Sequence, residues 1–189
     1  GLTPFFDVES GAKFNIIREV DTRSRYGADF AWVWGPLAVA AESTYVLYED
    51  ITTSADQFDF ELEDNSASVL WMVTGEEPTL QNGVFQPIEP KRSVREGGLG
   101  AIGLAFRYDS FEADNIAYDV MVYEGESVRE AVAYTIALNW YLAPSVRMIL
   151  DATRTEFDRP LLIDRDPITG EAVYSEREDV ITGRFQFGF

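Results

Sequence analysis

Residues 100–109 read GAIGLAFRYD and residues 128–141 read VREAVAYTIALNWY. In the first stretch one face would carry Gly100, Ile102, Leu104, Phe106 and Tyr108, while the alternate positions are small or charged. In the second stretch only Glu130 interrupts an apolar face of Val128, Val132, Tyr134, Ile136, Leu138 and Trp140. A period of two is typical of β-strands whose two faces meet different surroundings. Both stretches therefore predict amphipathic strands.

The same alternation recurs along most of the chain. Five further strands are predicted at residues 25–34, 37–47, 68–76, 146–153 and 179–189, and a weaker eighth candidate spans Ala12–Glu19. Short turns at Gly35-Pro36 and Ala143-Pro144 alternate with longer, more acidic linkers at residues 49–57, 110–127 and 158–178. The pattern predicts an up-and-down meander with a short-turn end and a long-loop end. Residues 76–97 break this rule, and they could fold back across a lumen.

Composition excludes several functions. The chain has 189 residues, 33 acidic against 15 basic side chains and a net charge of −18, which would repel a nucleic-acid backbone. It has no Cys and no His, so disulfides, thiolate metal sites and Ser-His or Cys-His catalytic pairs are impossible. We expect a single segment over residues 1–189 that is not an enzyme and has no cofactor or metal.

Hydropathy predicts neither a membrane-spanning helix nor a signal peptide within the residues given. No stretch of about 18 uncharged apolar residues predicts a membrane-spanning helix. The first residues, Gly1–Pro4, do not resemble a signal peptide, so we expect that a leader was removed or that the chain begins within a longer protein.

The character of the less apolar face indicates which solvent each face meets. That face is rich in Ala, Gly, Thr and Asn with occasional charges, which suits the watered interior of a barrel whose apolar side faces lipid. Aromatic residues lie near the ends of the apolar faces, and we expect interface girdles of Tyr26, Trp34, Tyr45, Tyr108, Trp140 and Phe189. The alternative is a soluble lipocalin-like or sandwich protein with the same aromatics in its core.

If the apolar face meets lipid, a defined set of polar side chains points inward. The predicted pore-lining residues are Arg107, Arg129, Arg147, Arg184, Asp29, Glu42, Asp109, Asp151, Asn139 and Tyr141. The arginines would favour anions in a narrow pore, unless the acidic residues pair with them and leave a rigid interior without selectivity. Asp164, Asp166 and Glu171 lie close enough in sequence to suggest a Ca²⁺ ligand set, but their spacing fits no complete calcium motif and favours a solvated loop.

Several segments, in order, resemble one protein family. They are Trp71–Glu76 (WMVTGE), Gly100–Tyr108 (GAIGLAFRY) and Leu138–Leu142 (LNWYL), with Gly35-Pro36, Ala41-Glu42 and the closing GRFQF at residues 183–187 in support. Over roughly residues 25–189 the chain resembles the phosphate-selective porin O and P family. Members are 16-stranded, usually trimeric outer-membrane porins, and the matched segments belong to their C-terminal half.

The resemblance implies an antiparallel up-and-down transmembrane β-barrel, with about 8 strands here as part of a 16-stranded barrel. It implies passive diffusion of small hydrophilic solutes, among them anions, through a homotrimer in contact with bilayer lipid and lipopolysaccharide. The terminal strand ending at Phe189 resembles the signal recognised by the barrel-assembly machinery. Because only Lys13 and Lys91 are lysines, the expectation extends to a porin and not to phosphate selectivity.

Other readings remain open at this stage. A self-contained eight-stranded barrel would be plugged by its own side chains. A non-conducting structural or docking subunit of an outer-membrane assembly is the alternative function, and a soluble lipid-binding barrel is the third.

Overall fold

Seven long β-strands form most of the structure, a computed structural model that describes residues 17–54, 56–116, 127–166 and 168–188, without the side chain at position 163. The strands are β1 Glu19–Trp34, β2 Leu37–Thr52, β3 Gln57–Met72, β6 Ala101–Ala113, β7 Glu130–Ala143, β8 Val146–Arg165 and β9 Ala172–Phe187. Between β3 and β6 lie the two-residue strands β4 Leu80–Gln81 and β5 Val84–Phe85 and a 3₁₀ turn, Val94–Glu96.

The long strands form one antiparallel sheet in chain order, β1-β2-β3-β6-β7-β8-β9. The predicted all-β, antiparallel, up-and-down arrangement is confirmed, with seven strands in this sheet. The eighth candidate, Ala12–Glu19, lies almost wholly outside the described residues. Within the described residues the sheet is open, because β1 and β9 each have only one neighbour. No helix in the described ranges is long and apolar enough to cross a membrane.

The prediction of a long linker over residues 158–178 is wrong. β8 continues to Arg165 and β9 begins at Ala172, so only residues 166–171 connect them. The other linkers are also shorter than predicted, since β2 ends at Thr52, β3 begins at Gln57 and β6 runs to Ala113. These strand ends do not alternate cleanly between apolar and polar residues, as the adjacent Leu161, Leu162 and Ile163 show, and register shifts interrupt the β8–β9 ladder after Glu156. Without a consistently apolar face, the alternation that predicts strands disappears.

The register places the apolar positions of neighbouring strands side by side. One continuous row across the sheet reads Trp32, Val39, Val69, Phe106, Ile136, Ala152 and Ile181. A one-residue slip in any strand would move its apolar set to the other face. The shared row therefore fixes one apolar face over the entire sheet.

Residues 76–97 fold back over the opposite face of the sheet, at the short-turn end. Ile88 packs there against Met72 of β3, Ala101 of β6 and Tyr141 of β7. The β4–β5 hairpin belongs to the same segment. We call the face that it covers the inner face, and we call residues 76–97 the inward segment.

Candidate functional site

The outer face of the sheet exposes its largest apolar side chains. Phe30, Trp34, Ile136, Leu150 and Ile181 are each more than half exposed, with Ile181 at 79%. The buried apolar clusters include Met72 with Ala101 and Val128 with Phe157. A soluble sandwich buries its apolar face and exposes its polar face, so this arrangement is the reverse. The outer face needs an apolar environment.

The outer apolar surface forms a band that is slanted relative to the strands. On β1 the band reaches Tyr26 at the long-loop side, whereas on β9 it ends at Ile181, which the register places level with Trp32. The limit therefore shifts by six residues over six strand steps. With strands about 4.8 Å apart and a rise of about 3.3 Å per residue, a level band requires strands tilted by about 35°. Membrane barrels have tilts of roughly 35–45°.

The predicted girdle residues divide into two levels on the outer face. Tyr26 lies 6.3 Å from Tyr45 toward the long loops, where Tyr108 pairs with Tyr134 at 5.5 Å. At the short-turn side Trp34 shares a register row with Trp71, and Trp140 is 36% exposed. Phe189 lies outside the described residues.

Between the apolar band and the long-loop ends of the strands, the outer face carries charged side chains. Tyr26 and Tyr45 share a register row with three outward glutamates, Glu63, Glu112 and Glu130. On β8 and β9 charged side chains begin nearer the short turns, in the row of Tyr108 and Tyr134, where Arg154 and Asp179 form an exposed ion pair with Arg154 Nε 2.7 Å from Asp179 Oδ1. The strands have 13 to 20 residues, more than the roughly 9–11 that cross a bilayer. Their long-loop ends therefore extend beyond the apolar band.

The predicted pore-lining residues lie at inner-face positions of the register. Asp29, Glu42 and Asp109 share one row, and Arg107 lies two rows closer to the short turns, at the next inner-face position of β6. Asp151, Arg184, Asn139 and Tyr141 lie nearer the short-turn end, where Arg147 faces Tyr141 and Gln186. Arg129 immediately precedes β7 at the long-loop end. Of these predicted residues, three of the four acidic ones lie on β1, β2 and β6, whereas Arg147 and Arg184 lie on β8 and β9.

Two of the four predicted arginines are ion-paired. Arg107 donates hydrogen bonds from Nε and Nη2 to Asp109, at 2.6–2.9 Å. Arg129 pairs with its neighbour Glu130 and donates a 3.2 Å bond to Asn115 Oδ1. A paired guanidinium contributes little net field along a pore, so these residues match the self-neutralised interior considered above.

The other two arginines have no acidic partner among the described residues. Arg147 donates a 2.8 Å bond to Gln186 Oε1, and its guanidinium lies 5.5 Å from the centre of the Tyr141 ring. Arg184 faces Ile149 across the β8–β9 ladder and makes no hydrogen bond or ion pair with the described side chains. On the inner face, no carboxylate of the described residues neutralises the positive charge of Arg147 or of Arg184.

The inward segment is held by a buried carboxylate at its start. Glu76 is 5% exposed and accepts hydrogen bonds from the Thr74 hydroxyl and from Lys91 N–H, the latter at 3.2 Å. Burial acts to raise the pKa of Glu76, but the hydrogen bonds from Thr74, from Lys91 N–H and from its own N–H, together with the charge of Lys91, hold the pKa below its usual value. Thr74 Oγ1 also accepts the Ile102 N–H at 2.9 Å. The Glu76 carboxylate therefore links the start of the segment to Lys91, and through Thr74 it is connected to Ile102 of β6.

The return of the inward segment is fixed by close backbone packing. A Cβ on Gly98 would lie 2.3 Å from the Arg92 carbonyl oxygen, and one on Gly100, where φ is +75°, would lie 2.3 Å from the Tyr141 carbonyl oxygen. Trp140 Nε1 donates a 2.7 Å bond to the Leu99 carbonyl between them. Glu96 accepts bonds from Ser93 N–H and Oγ at 2.9 and 2.8 Å, which lower its pKa.

Two open cavities lie on the inner face, and their linings differ in charge. The first, about 500 Å³, is at the short-turn end under the inward segment; Arg147 lines it, and none of its described lining residues is acidic. The second, about 450 Å³, is lined by four carboxylates, Asp64, Asp109, Asp151 and Glu178. The inner face therefore has one region lined by carboxylates and, at the short-turn end, another that Arg147 lines without a described acidic residue.

The Asp164–Glu171 connection uses one of its carboxylates to build a turn. Asp166 Oδ1 accepts the N–H groups of Thr169 and Ile168, both at 2.8 Å, and these bonds lower the pKa of Asp166. No group of acidic residues in the described ranges is arranged to hold a metal ion.

Sequence reasoning missed several residues of this site. Trp71 and Tyr134 extend the two aromatic levels, and Gln186 orients Arg147. The strands that carry Trp71 and Tyr134 alternate between apolar and polar residues, so assigning every aromatic residue of the apolar face to a girdle would have found both. The role of Gln186 depends on register, which the sequence does not specify.

Comparison with known proteins gives one family. The sequence model for phosphate-selective porin O and P matches residues 8–189, nearly the whole chain. No curated protein matches the chain at a significant level.

Proposed function

Because the chain belongs to the phosphate-selective porin O and P family, we propose that it forms part of a water-filled channel through which small hydrophilic solutes diffuse passively across the bacterial outer membrane. Membership in a porin family implies a channel in place of an enzyme. The lack of Cys and His agrees with this, since the usual nucleophile–base pairs are impossible.

One observation carries the proposal: the sheet has an exposed apolar face and a polar inner face. The slanted band, the two aromatic levels and the charged strand ends together fit a barrel wall that crosses a bilayer. We propose that the open edges at β1 and β9 pair with further strands of a 16-stranded barrel, because an unpaired edge is not tolerated in lipid.

Ion choice should depend on the narrow, short-turn end of the pore. Exposed charges in water act over about 8 Å at physiological salt, whereas charges that line a constriction are screened less. The inward segment narrows the pore beside Arg147, and Arg184 lies next to it on β9. We propose that these two arginines favour anions, while Arg107 is neutralised by Asp109.

The assembly follows from the family. We propose a homotrimer surrounded by bilayer lipid and lipopolysaccharide, with insertion by the barrel-assembly machinery through the terminal strand and Phe189. The aromatic levels at Tyr26 and Trp34 suit contact with lipid headgroups.

The test is the reversal potential of the full-length protein in planar bilayers at asymmetric salt. Replacing both Arg147 and Arg184 by Gln should shift the reversal potential toward cation selectivity. The matched control replaces Arg107 by Gln and Asp109 by Asn, which removes an ion pair without changing net charge, and should have little effect.

An unchanged reversal potential in the Arg147/Arg184 variant would contradict the assigned selectivity. Absence of any conductance from correctly inserted protein would contradict the channel itself and would favour the docking-subunit alternative.

A further inference from the structure

The cavity under the inward segment combines an apolar wall with one uncompensated cation. Its lining includes Phe85, Pro87 and Ile88 from the inward segment and Leu70 and Tyr141 from the sheet. At about 500 Å³ it falls within the range of small-molecule sites, which are mostly apolar with a few convergent polar groups.

Two polar side chains of this cavity, Arg147 and Gln186, are in contact with each other. Arg147 lines the cavity, and Gln186 beside it accepts one guanidinium hydrogen bond at 2.8 Å. An arginine has five N–H donors, so most of the fork remains available to a ligand. The Tyr141 ring supports the guanidinium at 5.5 Å. A planar, oriented fork of this kind matches a carboxylate in bidentate geometry.

A second cation stands next to the first. Arg184 is a diagonal neighbour of Arg147 across the β8–β9 ladder, since Arg147 faces Gln186 directly. Diagonal pairs on a sheet are about 7–8 Å apart at the backbone, within reach of two long side chains. None of the described residues that line the cavity is acidic, so none of them competes with the carboxylate of a ligand for this position.

The wall chemistry distinguishes between anions. Inorganic phosphate has no apolar surface, so it would leave Phe85, Pro87 and Leu70 in contact with water. An anion with an aryl or alkyl body would cover these side chains while its carboxylate meets Arg147. From this arrangement we infer that the cavity is a binding site for small organic anions, aryl or alkyl carboxylates, through which the pore favours such solutes over inorganic phosphate. The inference rests on the proposed channel function.

The experiment compares three probes on single channels of the full-length protein: benzoate, inorganic phosphate and benzyl alcohol. Benzoate should interrupt the chloride current at a lower concentration than phosphate, and uncharged benzyl alcohol should not interrupt it. Arg147→Gln should weaken the benzoate effect about tenfold, because a charge-assisted hydrogen bond is lost. Phe85→Ser should weaken benzoate but not phosphate.

The matched control is Arg165→Gln at the long-loop end of the same strand, which should leave benzoate unaffected. Equal or stronger interruption by phosphate, or an unchanged benzoate effect in Arg147→Gln, would overturn the inference.

Equilibrium binding of radiolabelled benzoate to detergent-solubilised protein separates the two proposals. If the protein conducts no current, the channel function fails; benzoate binding that depends on Arg147 would then still support the site, and lack of binding would overturn it.

Discussion

The attachment of the inward segment at Glu76 gives the sharpest prediction. The Glu76 carboxylate accepts hydrogen bonds from the Thr74 hydroxyl and from Lys91 N–H, and it is almost fully buried. Glu76→Gln keeps one acceptor oxygen, but its NH₂ group replaces the other oxygen and faces either the Thr74 hydroxyl or Lys91 N–H. About one charge-assisted hydrogen bond is therefore lost. Such a bond contributes about 1.5–3 kcal/mol. The segment should therefore detach roughly 10- to 150-fold more often.

Hydrogen–deuterium exchange of the membrane-inserted protein measures this detachment. Amides in residues 76–97 should exchange faster in Glu76→Gln, while those of β7 should not change. Glu77→Gln is the matched control, because Glu77 is exposed and makes no described hydrogen bond. Equal exchange in Glu76→Gln and wild type would refute the attachment role of this carboxylate.

The direction of the Glu76 shift also sets a pH dependence. The pKa of Glu76 is lower in the folded protein than its usual value, so its stabilising effect is fully present above an unfolded pKa of about 4.3. That effect is lost as the pH falls through the folded value. Protection of the inward-segment amides in wild type, measured relative to the intrinsic exchange rate at each pH, should therefore fall below about pH 4, and Glu76→Gln should lack this component.

Three further predictions concern the pore width, the segment's return and the outer face. Deleting residues 79–86, the β4–β5 hairpin and its flanks, should raise single-channel conductance because it removes the tip of the inward segment; unchanged conductance would place the constriction elsewhere. Gly100→Ala should lower the free energy of unfolding in urea by about 1–3 kcal/mol, since its Cβ would lie 2.3 Å from the Tyr141 carbonyl oxygen of β7. The control is Gly83→Ala, which shares a positive φ but has no atom within 4 Å of the added Cβ, so its free energy of unfolding should fall less. Ile136→Arg should cost about 2–4 kcal/mol of membrane stability and reduce insertion, whereas Ala137→Arg on the inner face should insert normally; equal insertion of both would contradict the assigned faces.

The alternation predicted most of the fold because the two faces of the sheet differ in polarity. Where one face is apolar and exposed, as at Ile136 and Leu138, the period of two is unbroken and the strand is evident from sequence. Where both faces are largely exposed, as in Ala172–Asp179, the same backbone pairing leaves no pattern, and the sequence predicts a loop instead.

The site was less accessible to sequence reasoning than the sheet. The inner-face position of Arg107 follows from parity, but its pairing with Asp109 along the same strand depends on rotamers. The inward segment lacks periodicity because it is held by Glu76 and by close glycine packing at Gly98 and Gly100. Such contacts join residues far apart in sequence, and no local pattern records them.

Cysteine scanning along β7 tests the central claim, that one face of this sheet meets lipid and the other lines a water-filled pore. These 189 residues include no Cys, so single variants within them need no prior substitution in this part of the protein. Cysteines at Thr135 and Ala137 should react with a charged, water-soluble thiosulfonate and change the channel current. Cysteines at Tyr134, Ile136 and Leu138 should be inert to that charged reagent. When a fluorophore is attached to these cysteines instead, lipid-attached quenchers should lower its emission. Reaction that does not alternate along the strand, or alternation with the opposite parity, would contradict the account.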